Sequence, residues 1–304
     1  MTTADVVIAI PTYRRPELLR RLLASLAPEI EGWGVLVVVG DNDAGPDAPR
    51  IVADSGLDAV CIPVESPGIA QVRNALIRTA TSLRPTWEHM VMLDDDGFVE
   101  PGWFETLMAW VDTHDADVTG GPVLGGLPSD ASILARNSIF AGRPRQSSGP
   151  ASHLVGAQNI VIRRRIVDRI GDPWFPVELG RIGGEDHYFF ESVVSHGGTL
   201  AWCDEAPVTE PTPAARLTAR ALLRRAYQSN VISSQTSLRF HPRRDVLIRL
   251  VEDTGWALRK TAAGIVLRDS DRLASAALDA AALAGRAVGI ARRTPPARAH
   301  ADRR

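Results

Sequence analysis

Met90-Val91-Met92-Leu93-Asp94-Asp95-Asp96 is the stretch on which the reading of this chain turns: four apolar residues run without a break into three acids. A short continuous apolar run bounded by polar residues fits a strand buried on both faces. Three carboxylates directly after it repel one another unless a cation or several donors neutralise them. A lone acidic triplet reads equally well as a solvated surface turn, and its place at the end of a buried strand tips the reading toward a site. Pro101 then opens a helix through Trp103, Phe104, Leu107 and Trp110.

Toward the N-terminus the same rhythm occurs three more times. Residues 6–10 read as strand one, closed by Pro11, and Leu18, Leu19, Leu22, Leu23 and Leu26 give helical spacing as far as Pro28. Residues 35–39 are strand two, ending at Gly40-Asp41-Asn42. Residues 59–64 are strand three, followed by Ser66-Pro67-Gly68 and a helix with Ile69, Val72, Leu76 and Ile77 on one face. Strands alternating with helices predict an α/β fold, Rossmann-like, with a mostly parallel central sheet and helices on both faces. Polar or special residues follow the C-terminal end of each strand, where parallel sheets place their ligand crevice.

Beyond the triplet the pattern loosens. Residues 125–152 are rich in Gly, Pro, Ser and Arg around a short apolar patch at 133–139, which predicts an irregular flap. Patterning returns at 154–162. A helix starting near Gly184 carries Tyr188, Phe189, Val193 and Val194 to the Gly197-Gly198 stop, and a strand follows at 199–203. Pro207 to Pro213 breaks the pattern. Helical spacing then covers 216–227, 247–266 and the alanine-rich 273–290, with a frayed tail from Arg292. The expected division is 1–230, with halves at 1–124 and 125–230, and a helical C-terminal extension at 231–304.

The chain has 304 residues, 45% hydrophobic and 23% charged, which fits a folded protein of one large domain or two smaller ones. A net charge of −2 argues against a generally basic nucleic-acid binder, so no nucleic-acid partner is expected. That mean hides an asymmetry, because residues 239–304 hold 14 basic and 7 acidic side chains, leaving an acidic body with a basic tail. Within the tail, Leu247, Leu250, Val251, Leu258, Ala262 and Ile265 make an apolar stripe with Arg249, Arg259 and Lys260 off it. Such a helix can pack on the body, pair with a second copy as a homodimer, or make peripheral contact with an anionic membrane. Every basic residue except Lys260 is arginine, so an arginine alone marks no site. Cys61 and Cys203 lie far apart in apolar runs and read as core. No stretch approaches the ~18–20 uninterrupted apolar residues of a membrane span, and no signal pattern opens the chain. The expected location is cytoplasmic, with contact at the inner membrane face left open.

Several chemistries lack their parts. There is no G-x-x-x-x-G-K-[ST] loop, and Pro11-Thr12-Tyr13-Arg14 stands where a dinucleotide-binding glycine loop would follow strand one. No G-x-S-x-G or H-E-x-x-H is present. Two acidic elements remain. The triplet suits a hard divalent ion, Mg²⁺ or Mn²⁺, held by one or two carboxylates with water and a diphosphate completing the shell. Glu185-Asp186, after Gly183-Gly184 at a helix start, can supply a general base, although acids stabilise any helix N-terminus through the dipole.

The order of these motifs resembles family-2 glycosyltransferases of the GT-A fold. The likeness rests on Ile10-Pro11-Thr12-Tyr13-Arg14-Arg15-Pro16, Asp41-Asn42, Pro67-Gly68 through Arg73-Asn74, Leu93-Asp94-Asp95-Asp96 with Pro101-Gly102-Trp103, and Gly184-Glu185-Asp186, and it covers about residues 5–230. It implies Pro11, Thr12, Tyr13, Arg14 and Asp41 around a pyrimidine nucleotide, with Arg73 beside the base or phosphates. It also implies Asp94 near the ribose and on the metal, Asp96 on the metal, and Asp95 in the donor site. Asp186, with Glu185, would be the catalytic base. The implied reaction is an inverting transfer from a nucleoside-diphosphate sugar, UDP favoured and dTDP next, to a saccharide, lipid-linked or natural-product acceptor. Where some relatives carry a metal-binding histidine this chain reads Val208-Thr209-Glu210-Pro211. Glu210 is open to metal ligation or to a salt bridge with an arginine of the next helix, where Arg216, Arg220 and Arg224 recur every four residues. Two other readings share the layout: a non-catalytic nucleotide-sugar-binding protein and a sugar nucleotidyltransferase.

Overall fold

The computed structural model describes residues 6–141 and 145–292. Its first half is set by alternation along strands that are covered on both sides. β1 (Val6–Thr12), β2 (Leu36–Asp41), β3 (Ala59–Pro63) and β4 (His89–Leu93) lie parallel in the order β3-β2-β1-β4. Val7 and Ala9 face one side with Val38, Met90 and Met92, against Val72, Leu76 and Ile77 of α3 (Ile69–Leu83). Val6, Ile8 and Ile10 face the other with Val37, Val39 and Val91. That second face is covered by α1 (Pro16–Ile30), by α4 (Trp103–Thr113) and by the short α2 (Asp47–Ala53). Burial of both faces is why these strands read as unbroken apolar runs. α1 runs past Pro28 to Ile30, because burying Leu26 and Ile30 outweighs the one helical hydrogen bond that the proline forfeits.

Beyond β4 the sheet becomes mixed. β9 (Asn159–Arg163) inserts antiparallel between β4 and β6 (Val118–Gly120), β10 (Leu200–Trp202) runs parallel to β6, and β8 (Gly149–Ala151) closes the edge antiparallel. α6 (Arg164–Ile170) and α7 (Glu185–Ser195) cover the α3 side. A second, three-stranded sheet joins β5 (Phe98–Val99), β11 (Val208–Pro211) and β7 (Val123–Gly126) in the order β5-β11-β7. The segment expected to break at Pro207–Pro213 therefore holds a strand. Its prolines are tolerated because the strand is short and pairs with β5 only through Val208 and Thr209. The expected flap is partly regular too, containing the end of β7, the single turn α5 (Ile133–Arg136) and β8. Its residues 142–144 lie outside the described residues, as does the tail beyond Arg292.

Three long helices close the chain: α8 (Ala219–Phe240), α9 (Arg243–Leu267) and α10 (Ser270–Ala291). Thr218 caps α8, its hydroxyl accepting from Ala221 N at 3.3 Å, and Arg216 falls in a separate 3-10 turn before it. The arginine face expected from 216 to 224 is thus split by the cap. Residue 230 lies inside α8. α10 is long and apolar enough to cross a bilayer by length and composition, although Asp279 and Arg286 interrupt its apolar run. Here it packs along α8, so closely that a Cβ on Gly285 or Gly289 would come within 2.2 Å of the Tyr227 carbonyl or 2.4 Å of the Val231 carbonyl. The apolar stripe of α9 does not pack on the body: Val251, Leu258 and Ile265 are 71%, 66% and 63% exposed.

Candidate active site

β1, β2 and β4 each run into polar groups, and together these ends form one crevice. After β1 the chain turns through Tyr13, Arg14 and Arg15 into α1. Thr12 Oγ1 donates to Asp95 Oδ2 at 2.8 Å and Tyr13 N to the same oxygen at 3.4 Å. Arg15 Nη1 donates to Asp95 Oδ1 at 2.9 Å and to Asp96 Oδ2 at 2.8 Å. Asp95 is buried, which pushes its carboxyl up to about 6 in spite of the Arg15 charge. Arg14, at φ 54, turns outward to donate from Nε to Asp43 Oδ1 at 2.7 Å, with its guanidinium 5.0 Å from the Tyr13 ring. Pro11 is the last residue of β1 before Thr12 and, like it, is buried.

After β2, Asp41 is buried and its Oδ1 accepts from Asp43 N at 3.0 Å. Asn42 fastens the next turn, donating to the Val64 carbonyl at 2.7 Å and accepting from Gly68 N at 2.8 Å. Gly68 sits at φ 137, and a Cβ there would lie 3.0 Å from the Gly180 backbone, so the start of α3 approaches the loop before α7 as only glycine allows. Ile69 N closes that approach by donating to the Gly180 carbonyl at 3.0 Å.

Arg73 on α3 spans the two acidic elements. It donates from Nη2 to Asp94 Oδ1 at 3.2 Å and from Nη1 to Glu185 Oε1 at 2.7 Å, while lying 5.6 Å from the Phe175 ring centroid. Burial opposes its charge, yet Asp94, Glu185 and Asp186 outweigh that and hold it above the usual arginine value. Glu185 and Asp186 open α7 after Gly183 and Gly184, at φ 87 and 86, and a Cβ on Gly184 would strike Ile232 of α8 at 2.4 Å. Glu185 Oε2 is buried without a partner. Burial, then repulsion from Asp186, push Glu185 up to about 7 against the pull of Arg73. Asp186 is half-buried, and its Oδ1 accepts from His187 N at 2.7 Å. Beyond it, burial lowers His187, whose Nε2 lies 3.2 Å from Ser237 Oγ, while Glu191 meets His241 Nε2 at 2.9 Å.

The fold therefore gathers Thr12, Tyr13, Arg73, Asp94, Asp95, Asp96, Glu185 and Asp186. It turns Arg14 to the rim beside Asp43, and it uses Asp95 as the inward tether of the triplet. Arg15 is the contributor that sequence reasoning passed over. It lay within the first motif, but in a chain so rich in arginine its position alone carried no weight. Glu210 lies on β11, next to β5, in a cleft with Phe140, Thr212 and Arg225.

Charge and exposure decide whether a divalent ion suits this crevice. Five carboxylates face two guanidiniums, so negative charge is in excess. The Asp94 and Asp96 side chains are 26% and 14% exposed, against 5% for Asp95. Asp94 and Asp96 therefore fit a metal. Among the described residues no three His, Cys, Asp or Glu side chains converge as a ligand set.

A model of glycosyl transferase family 2 matches residues 7–171, just over half of the chain. The succinoglycan biosynthesis protein ExoM of Rhizobium meliloti (strain 1021) is 30% identical over 234 residues, covering 75% of this chain and 73% of that protein. The mannosyltransferase PcManGT from Pyrobaculum calidifontis, in complex with GDP-Man and Mn²⁺, aligns over 92% of this chain and 85% of its own at TM-score 0.60 and 16% identity. S. aureus TarS 1–349 in complex with UDP aligns over 93% of this chain and 90% of its own at TM-score 0.54 and 17% identity. A longer TarS chain is covered over only 42% of its length, at TM-score 0.52 and 18% identity, so this chain spans less than half of that protein. The structural likenesses show the shared GT-A fold. With the family match and the ExoM relationship beside them, the chain belongs to glycosyl transferase family 2.

Proposed function

We propose that this chain is an inverting glycosyltransferase that moves a sugar from a nucleoside-diphosphate sugar, UDP-linked by preference and dTDP-linked next, to an acceptor hydroxyl. The observation that carries the reading is Arg73, whose single guanidinium bonds both Asp94 and Glu185 and so ties the acidic triplet and the acid pair to one crevice. Pro11, Thr12, Tyr13, Arg14 and Asp41 receive the nucleobase and ribose, with Asp94 near the ribose, Asp95 also in the donor site and Arg73 beside the base or phosphates. Asp94 and Asp96 would hold Mn²⁺ or Mg²⁺, which when bound supplies positive charge to the departing diphosphate. Asp186 takes the proton of the acceptor hydroxyl as its oxygen bonds to the anomeric carbon, and the bond to the diphosphate breaks on the opposite face, inverting that carbon. Glu185, held by Arg73, fixes the start of α7 and hence the aim of Asp186.

The neighbours' ligands support the donor class: GDP-Man with Mn²⁺ in PcManGT, and UDP and UDP-GlcNAc in TarS. The part that ExoM plays in succinoglycan biosynthesis supports a saccharide acceptor, free or lipid-linked, over a natural-product aglycone. On this reading residues 1–124 serve the nucleotide, 125–230 the acceptor, and 231–304 form an extension, in a cytoplasmic protein.

Calorimetric titration of UDP, dTDP and GDP, each with Mn²⁺ and with a chelator, tests the donor. Metal-dependent binding of UDP ahead of the others is expected, and binding of none would overturn the donor assignment. Asp186→Asn should lower transfer by about 10²–10⁴-fold while leaving UDP binding unchanged. Full turnover in that variant would overturn the assignment of the base.

A further inference from the structure

α9 carries a surface that the fold leaves uncovered. Its inner side is short of apolar groups: Val246 and Gly264 are buried, and Asp253 and Lys260 pair with Arg286 and Asp279 of α10. On the opposite side Leu247, Val251, Leu258, Ala262 and Ile265 recur at spacings of four, seven, four and three, so they form one stripe along the helix. Ile248 and Val266 widen it, and Val266 is 80% exposed. At about 100° per residue the stripe covers about 120° of the helix circumference and runs for about 29 Å. No acid falls within it, since Asp245, Glu252 and Asp253 project from the remaining arc.

Arginines surround the stripe. Arg243 and Arg244 stand at its N-terminal end, Arg268 just past its C-terminal end, and Arg259 along one margin, all exposed. Among the described residues none of the four takes part in a salt bridge. This charge pattern chooses the occupant. A second copy laid on the stripe antiparallel would set Arg243 and Arg244 against Arg268, and a parallel copy would set each arginine against itself, with Glu252 beside Arg259 as the acid nearest the stripe. An anionic lipid surface offers hydrocarbon to the stripe and phosphate to all four arginines. The segment's excess of 14 basic over 7 acidic residues, set on an otherwise acidic body, orients the molecule the same way.

We infer that α9 is an interfacial helix that docks the protein on a bilayer rich in anionic phospholipid, lying in the plane of the surface with the Leu247–Val251–Leu258–Ile265 stripe toward the acyl chains. The helix starts beside the helix that carries Asp186: Phe240 packs edge-on to Tyr188 at 4.9 Å, and His241 bonds Glu191. The docked helix therefore begins next to α7. The inference does not depend on the sugar donor or on the base.

The test is co-sedimentation of the full chain with vesicles of phosphatidylcholine alone and of phosphatidylcholine mixed with phosphatidylglycerol, in low and high salt. Binding to the mixed vesicles alone, weakened by salt, is expected. Val251→Asp with Leu258→Asp should abolish it, and Arg243→Glu with Arg244→Glu should weaken it by roughly tenfold or more. Because all four residues are exposed, circular dichroism and thermal midpoints should match the parent. Background sedimentation with the mixed vesicles would overturn the inference, as would equal binding to neutral vesicles. So would light scattering that shows a dimer which the stripe variants convert to a monomer, since that would make a second copy the occupant.

Discussion

The two ends of β4 carry opposite kinds of buried polarity. At its C-terminal end Asp94, Asp95 and Asp96 crowd together, and Arg15 from the turn before α1 and Arg73 from α3 reach in to hold them. At its N-terminal end His89 is just as buried, and neither ring nitrogen has a hydrogen-bond partner. Burying a charge is costly unless long-range partners meet it, and the crevice end has two such partners with 21 to 112 residues between the groups they join. The difference teaches where this fold invests its polar contacts. They are concentrated at the crevice end, and the opposite end tolerates an unmet histidine.

The sharpest way to break that contrast is Arg73→Met. It leaves Glu185 and Asp94 buried or half-buried with their counter-charge gone, so urea denaturation should show a loss of about 3–5 kcal/mol. Adding Glu185→Gln should recover part of the loss, because the uncompensated carboxylate is what costs. A loss under about 1 kcal/mol in the single variant would mean that water already screens the pair.

Next in size is the pH dependence at Asp95. Its carboxyl is raised from 3.8 to about 6, so between those values the folded protein binds more protons than the unfolded chain. Stability contributed by this group is full below 3.8 and is lost as pH rises through about 6, on the order of 3 kcal/mol. Glu185, raised from 4.5 to about 7, adds the same sign in a slightly higher window. The stability of the parent minus that of Asp95→Asn, measured from pH 4 to pH 7, should therefore fall. A flat difference would place Asp95 in water. Thr12→Val removes one donor to the same carboxylate and should cost about 1–2 kcal/mol in denaturant midpoint, with Arg15 still in place.

These partners also mark how far the sequence could be read. β1 to β4 and their helices were legible because double-faced burial writes continuous apolar runs, and the acids at their ends stood out against that background. Asp94–Asp96 and Glu185–Asp186 were visible as elements. Which acid of each turns inward was not, because Asp95 and Glu185 are selected by Arg15, Thr12 and Arg73, whose contacts span 80 to 112 residues. β11 was missed for a related reason, since a four-residue strand between prolines is defined by its pairing with β5 and β7 and has no period of its own. The stripe of α9 was legible as a stripe, and its exposure came only from the way α10 takes the other side.

The smallest effect belongs to the opposite end of β4. Burial and the nearby Arg163 charge hold His89 below its ordinary value of 6.5, so it stays neutral in the folded protein. As pH falls through 6.5 the unfolded chain takes up a proton that the folded one refuses, and stability is lost in that direction. His89→Phe keeps an aromatic ring on the strand and removes two polar atoms that have no partner. It should raise stability by about 1 kcal/mol at neutral pH and lose less than the parent on acidification to pH 5.5. Transfer and nucleotide binding should not change, because the residue stands a full strand length from the crevice. If His89→Phe destabilised the fold, the imidazole would be meeting water or Arg163 after all, and the two ends of β4 would be alike in satisfying what they bury.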